Sequence, residues 1–121
     1  MKSTIDRVLL DLRVPSKYAG FRQLSRAVEL SIQNEDCLLN INRNIYEVIA
    51  AEFNVEAKSI EKNIRTLLDA AWKRGCRERY ETITGYTYEV RPTVGEFLDT
   101  VSAYCQKEFQ VTEPKVTQTM T

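Results

Sequence analysis

Apolar side chains recur every three or four positions along most of the chain, and strict alternation is nearly absent, so the pattern predicts helices and no sheet. Ser3 to Asp6 reads as an N-terminal cap region. Ile5, Val8, Leu9 and Leu12 then line one face of a short helix that Pro15 is expected to end. Gly20 opens a second helix whose Leu24, Ala27, Val28 and Ile32 stripe runs to Asn34, followed by a polar break from Gln33 to Asp36. A third helix is predicted over 44–53, with Ile45, Val48, Ile49 and Phe53 inward. The fourth begins near Ala57 and runs to Arg74, its Ile60, Ile64, Leu67, Leu68 and Ala71 forming a continuous apolar stripe. Gly75 stands where a helix commonly closes in the left-handed conformation. A further helical turn or two is expected around 77–83, then a turn at Gly85 and an extended stretch to Tyr88. Thr93-Val94-Gly95-Glu96 is a capping box opening a last helix, with Phe97, Val101 and Tyr104 facing the core. Over 111–121 the sequence turns polar and aperiodic, the pattern of a disordered tail. The expected architecture is therefore all-α: one compact domain of five to six helices over 1–110, with the third and fourth helices as a central helix-turn-helix.

Composition narrows the chemistry. The 121 residues are 43% hydrophobic and 28% charged, with four glycines and three prolines, which excludes a disordered or collagen-like chain. No apolar run approaches the ~20 residues that span a bilayer. The N-terminus has no signal-peptide core, so a cytoplasmic location is expected. Cys37, Cys76 and Cys105 are widely spaced and there is no histidine. Spacings for a zinc site or a disulfide framework are missing, and the thiols read as small buried hydrophobes. Ser–His and Cys–His nucleophile pairs are impossible without histidine. No enzyme, metal or cofactor is expected.

Charge changes the picture more. Lys plus Arg and Asp plus Glu tie at 17, yet they are segregated along the chain. Residues 13–26 and 57–79 each carry a net +4, whereas 29–56 nets −5 and 80–114 nets −4. A locally basic face on a neutral protein needs such segregation. The window 46–65 fits a helix-turn-helix: Ile49 and Phe53 at apolar positions, Ala50 where the helices cross, Asn54 at the positive-φ turn, then Val55 and Ile60. One apolar position fails, being Asn63. On a helical wheel, the arc opposite the apolar stripe of the fourth helix holds Lys58, Ser59, Lys62, Arg65, Thr66, Asp69 and Lys73. Its basic weighting suits a helix in the major groove, where Lys and Arg reach guanine or phosphate. Glu61, on the flank, has two readings: acceptor from a cytosine amino group, or i,i+4 partner of Arg65. The first turns of the third helix, with Arg43, are placed to meet a phosphate.

These residues are familiar as a set. Val14-Pro15, Gly20-Phe21, Ile49-Ala50, Phe53-Asn54, Ile60-Glu61, Ile64-Arg65, Ala71-Trp72, Arg74-Gly75, Gly85-Tyr86-Thr87, Pro92-Thr93 and Glu96-Phe97 occur in order from Ile5 to Phe109. In them the chain resembles the C-terminal DNA-binding effector domain of the stage-zero sporulation protein A response regulators. The resemblance implies a six-helix transcription-factor domain that binds a promoter element similar to TGTCGAA, often as head-to-tail pairs on tandem elements, and contacts the sigma factor of RNA polymerase. It places base reading on Ser59, Glu61, Lys62, Arg65 and Thr66, with Arg43, Lys58 and Lys73 toward phosphates. Glu61 and Arg65 match the family's residue types. Lys62 and Ser59 replace arginines and Thr66 a histidine, which removes rigid guanine-reading forks. Family members usually carry a receiver domain before the effector, whereas homology here begins four residues after Met1. The expectation is an excised effector or a stand-alone one, and the alternative function is a receiver-less interaction module that antagonises a full-length regulator or binds a sigma factor. For that module the acidic stretch 80–114 and an apolar face of the last helix would carry binding.

Overall fold

The computed structural model describes residues 2–112, with side chains over 3–108. These residues form six α-helices and no strand: α1 (Lys2–Asp11), α2 (Gly20–Gln33), α3 (Glu47–Phe53), α4 (Ala57–Ala71), α5 (Arg77–Thr84) and α6 (Val94–Thr112). Of the tail expected over 111–121, the first two residues belong to α6, and 113–121 lie outside the described residues.

Helix α1 begins at Lys2, so Ser3 and Thr4 sit inside its first turn rather than ahead of it. It stops before Pro15. Arg13 adopts φ 68°, and the N–H groups of Arg13 and Val14 return to the carbonyls of Leu10 and Leu9 at 2.9 and 3.0 Å. This 5→2 and 6→1 pairing closes the helix, with Val14 and Leu9 both buried beside it.

Helix α2 is the spine of the molecule and packs against α1, α4 and α6. Its start lies directly on the middle of α4: a Cβ built on Gly20 would stand 2.7 Å from the Asn63 carbonyl oxygen. Beside that approach, Asn63 Nδ2 donates to Oε1 of the buried Gln23 at 3.1 Å. The polar residue at an apolar helix-turn-helix position therefore has a specific partner. Farther along, Arg26 spans to α3 with Nε and Nη2 each 2.8 Å from the two carboxylate oxygens of Glu52, and its Nη1 meets Glu29 at 2.9 Å. The Arg26 hydrogen bond holds Glu52 below the ordinary carboxylate value of 4.5.

The polar break is not a loop. Asn34 caps a 3₁₀ helix (Glu35–Asn40) by accepting the Asp36 N–H, and a wide π-type turn (Asn42–Tyr46) leads straight into α3. At its other end α4 runs through Trp72 and Lys73 to Gly75, whose φ of 102° redirects the chain into α5. A chain of aromatic rings links Trp72 to α6. Trp72 meets Tyr80 edge-on at 5.8 Å, and Tyr80 stacks on Phe97 of α6 at 5.6 Å. The expected capping box forms reciprocally, Thr93 N–H to Glu96 at 2.9 Å and Glu96 N–H to Thr93 Oγ1 at 3.1 Å. Phe97, Leu98, Val101 and Cys105 of α6 are buried, so over its described side chains the apolar face of α6 belongs to the core. Burial pushes the thiols of Cys76 and Cys105 up to about 11 and about 12, whereas Cys37 is half-buried.

Two outcomes test this packing. Gly20→Ala gains ~1 kcal/mol of helix propensity, yet the close approach makes it a net loss of ~1–3 kcal/mol, read by urea denaturation; an alanine variant as stable as the parent would refute the contact. Glu52→Gln costs ~0.5–1 kcal/mol near neutral pH, small because the pair is solvent-screened. Because folding lowers the carboxylate's affinity for protons, that contribution is complete above pH 4.5 and disappears as acid carries the carboxylate through its lowered value. Stability curves of parent and variant therefore converge only once the pH falls below that lowered value.

Candidate nucleic-acid interface

Helices α3 and α4 meet at a three-residue turn. Asn54 takes φ 59°, ψ 47°, a conformation that asparagine tolerates well, and its N–H and that of Val55 both return to the Ala50 carbonyl. Glu56 is extended, and its carbonyl accepts the N–H groups of Ser59 and Ile60 at 3.0 and 3.3 Å. No side chain caps the start of α4 and no acid lies in its first turn. Ile49 and Ala50 are buried against the neighbouring helices, but Val48, Phe53 and Val55 are 36%, 38% and 45% exposed. Helix α3 is only seven residues long, and Phe53 is its last, so these side chains sit at the rim rather than inward.

The buried stripe of α4 is complete: Ile60, Ile64, Leu67, Leu68 and Ala71. Opposite it, Lys58, Lys62, Arg65, Thr66 and Lys73 are exposed, and Ser59 and Glu61 are half-buried. These side chains share one helical run, from α4 into the turn that follows it. Arg43 is exposed on the π-type turn, apart from α4 in sequence. The expected open end beside Arg43 is absent: its N–H is taken by Asn40 Oδ1 at 3.2 Å, and helical backbone continues upstream from Ile41.

Ion pairing sorts the basic groups. Arg77 pairs with Glu81, Arg79 with Asp11, and Arg26 with Glu52 and Glu29, so part of each basic stretch is consumed in holding the fold. Lys58, Lys62 and Lys73 make no ion pair among the described residues. Arg65 Nη2 stands 3.5 Å from Glu61 Oε2, the i,i+4 pairing, with the Arg65 side chain 61% and that of Glu61 43% exposed. Such a pair contributes about 0.3–0.5 kcal/mol and yields readily to a stronger partner.

Two neighbours of this face carry no signal in the helical period. Arg91 precedes α6, and its Nε binds Asp69 of α4 while Nη1 donates to the Pro92 carbonyl at 2.8 Å. Tyr46 is only 6% exposed. Burial pushes its hydroxyl above the ordinary value of 10.0, the charge of Glu61 adds to this, and Arg65 and Arg91 oppose it. The four side chains, with Asp69, Ile41 and the first residues of α6, line a cavity of about 560 Å³. Arg91 lies in an irregular segment, and Tyr46 reads as core, so neither stands out from the pattern alone.

No described helix is long and apolar enough to cross a membrane. A family model described as Sporulation initiation factor Spo0A C terminal matches residues 5–105, from α1 almost to the end of the described side chains. That family comprises DNA-binding regulatory domains rather than enzymes. The chain belongs to the Spo0A C-terminal family of DNA-binding effector domains, regulators of transcription in sporulation.

Proposed function

We propose that the chain is a sequence-specific transcriptional regulator that lays α4 in the major groove of duplex DNA. The observation that carries this reading is the outward face of α4, where Lys58, Lys62 and Lys73 stand exposed and unpaired immediately after a left-handed helix-turn-helix corner. Ser59, Glu61, Lys62, Arg65 and Thr66 read base edges, and Arg43, Lys58 and Lys73 meet phosphates. Glu61 and Arg65 act together: entering the groove exchanges their mutual contact for a cytosine amino group and a guanine edge. Lysine at 62 offers a single mobile donor where a fork would give two fixed hydrogen bonds, so discrimination at its base is looser. The target is an element similar to TGTCGAA, bound by tandem copies head to tail, with contact to a sigma factor during activation. The bacterial cytoplasm is where such a complex forms.

One observation favours a second reading, an interaction module that antagonises a full-length regulator or binds a sigma factor. Leu39 is 85% exposed at a groove it shares with Glu35, Asp36, Glu96 and Asp99, an apolar tip in an acidic setting.

Fluorescence anisotropy on duplexes decides between them. Under the first reading, the slope of log K against log salt is near −3 from three phosphate contacts at about −0.9 each. Lys62→Ala with Arg65→Ala then lowers affinity for the preferred element at least ~10-fold, about 1.4 kcal/mol, and flattens preference over scrambled duplex. A salt-independent response, or a double variant that retains full regulatory activity in cells, would transfer the function to the acidic groove.

A further inference from the structure

We propose that the cavity between α4 and the start of α6 is a seat for a phosphate group, lined by Tyr46 and flanked by Arg91. The phosphate is one of the DNA backbone, which rests on α4 lying in the major groove, or that of a free phosphoryl ligand.

The cavity is built from donors. Tyr46 is more than nine-tenths buried, lines the cavity, and makes no hydrogen bond through its hydroxyl among the described residues. A hydroxyl with no protein partner on a residue that lines a cavity is free to take an acceptor there. Glu61, Arg65 and Arg91 line the same cavity. Across the cavity, the capping box engages the N–H groups of Thr93 and Glu96. The N–H groups of Val94 and Gly95 have no partner within the helix, as at any helix start, and both residues line the space. Gly95 is also where the wall is closest: an added Cβ would stand 3.0 Å from Ile41 Cδ1, another lining atom.

Two carboxylates share the cavity, and they decide how it works. Glu61 is held by Arg65 Nη2, and Asp69 by Arg91 Nε. Each pair cancels in charge, and the Asp69 bond fixes the Arg91 guanidinium, leaving its Nη2 without a partner among the described residues. The remaining donors are the Val94 and Gly95 N–H groups at the start of the nineteen-residue α6, where Glu96 already holds the Thr93 N–H. A phosphate suits this arrangement because its several acceptor oxygens reach donors on three elements at once. The cavity also adjoins the basic face of α4, where a strand bordering the groove would pass.

The test uses the full chain and two variants, Tyr46→Phe and the charge-balanced Arg91→Gln/Asp69→Asn, each first shown by thermal melting to fold. In the duplex arm, Tyr46→Phe weakens binding roughly fivefold on preferred and scrambled duplex alike. The charge-balanced variant likewise weakens binding on both duplexes by a similar factor while leaving sequence preference unchanged. In the free-ligand arm, inorganic phosphate at constant ionic strength shifts the amide resonances of Val94 and Gly95 saturably, chloride does not, and Tyr46→Phe abolishes the response. Movement in the duplex arm assigns the seat to the DNA backbone. Saturation in the phosphate arm with unchanged duplex affinities assigns it to a free phosphoryl ligand. If the parent chain binds no duplex, the reading of α4 fails and the phosphate arm alone decides the cavity. Parent and variants indistinguishable in both arms overturn the proposal.

Discussion

The approach of Gly20 to the Asn63 carbonyl sets the geometry on which everything else relies. A helix turns about 100° per residue, so rotating α4 by one position would carry Lys62 toward the core and bring an aliphatic side chain to the surface. What prevents this is contact at one crossing: no side chain on α2 at position 20, and the amide of Asn63 bonded to Gln23. Farther along, α2 also grips α3 through the Arg26 fork on Glu52. Both halves of the helix-turn-helix thus take their orientation from a helix outside the motif. The outward face of α4 inherits its direction from a glycine some forty residues earlier in the chain.

The division of labour between the two basic residue types follows from their chemistry. All six ion pairs among the described residues use arginine, and those to Glu52, Asp11 and Asp69 join separate elements. A planar guanidinium loses little freedom per bond and suits fixed geometry, whereas an ammonium on a long stem stays solvated and mobile. The lysines of α4 are left to present charge outward. A protein of zero formal charge acquires a positive face this way, because its acidic residues are paired or gathered elsewhere.

Much of this was legible in the chain. The stripe of α4 is read fully from its period, since a long helix repeats its burial pattern often enough to fix its phase. The Asn54 corner, the Gly75 reversal and the capping box are local, set by residues within a few positions of one another. What escaped has the opposite character. The 3₁₀ helix after Asn34 has no period to detect, being six residues of a tight spiral. The end of α1 depends on Arg13 accepting a left-handed backbone, which nothing about arginine announces. Phe53 and Val55 fit the motif by type but not by burial, because the shortness of α3 leaves them at an edge. On α4 the set of outward side chains was legible from the helical period, whereas Arg91 and Tyr46 come beside that face only through tertiary contact. Asn63 looked like a defect in the motif and is explained by a partner forty residues away.

The three cysteines have a practical consequence. Cys76 and Cys105 hold their protons well above neutrality and are closed to solvent, while Cys37 lies nearer the surface on the 3₁₀ helix. An alkylating reagent at neutral pH meets one slow site in the native molecule and two that answer only when the interior opens. The order in which the sulfurs are capped is thus an intrinsic clock for breathing of the domain, readable by mass alone and without an introduced label.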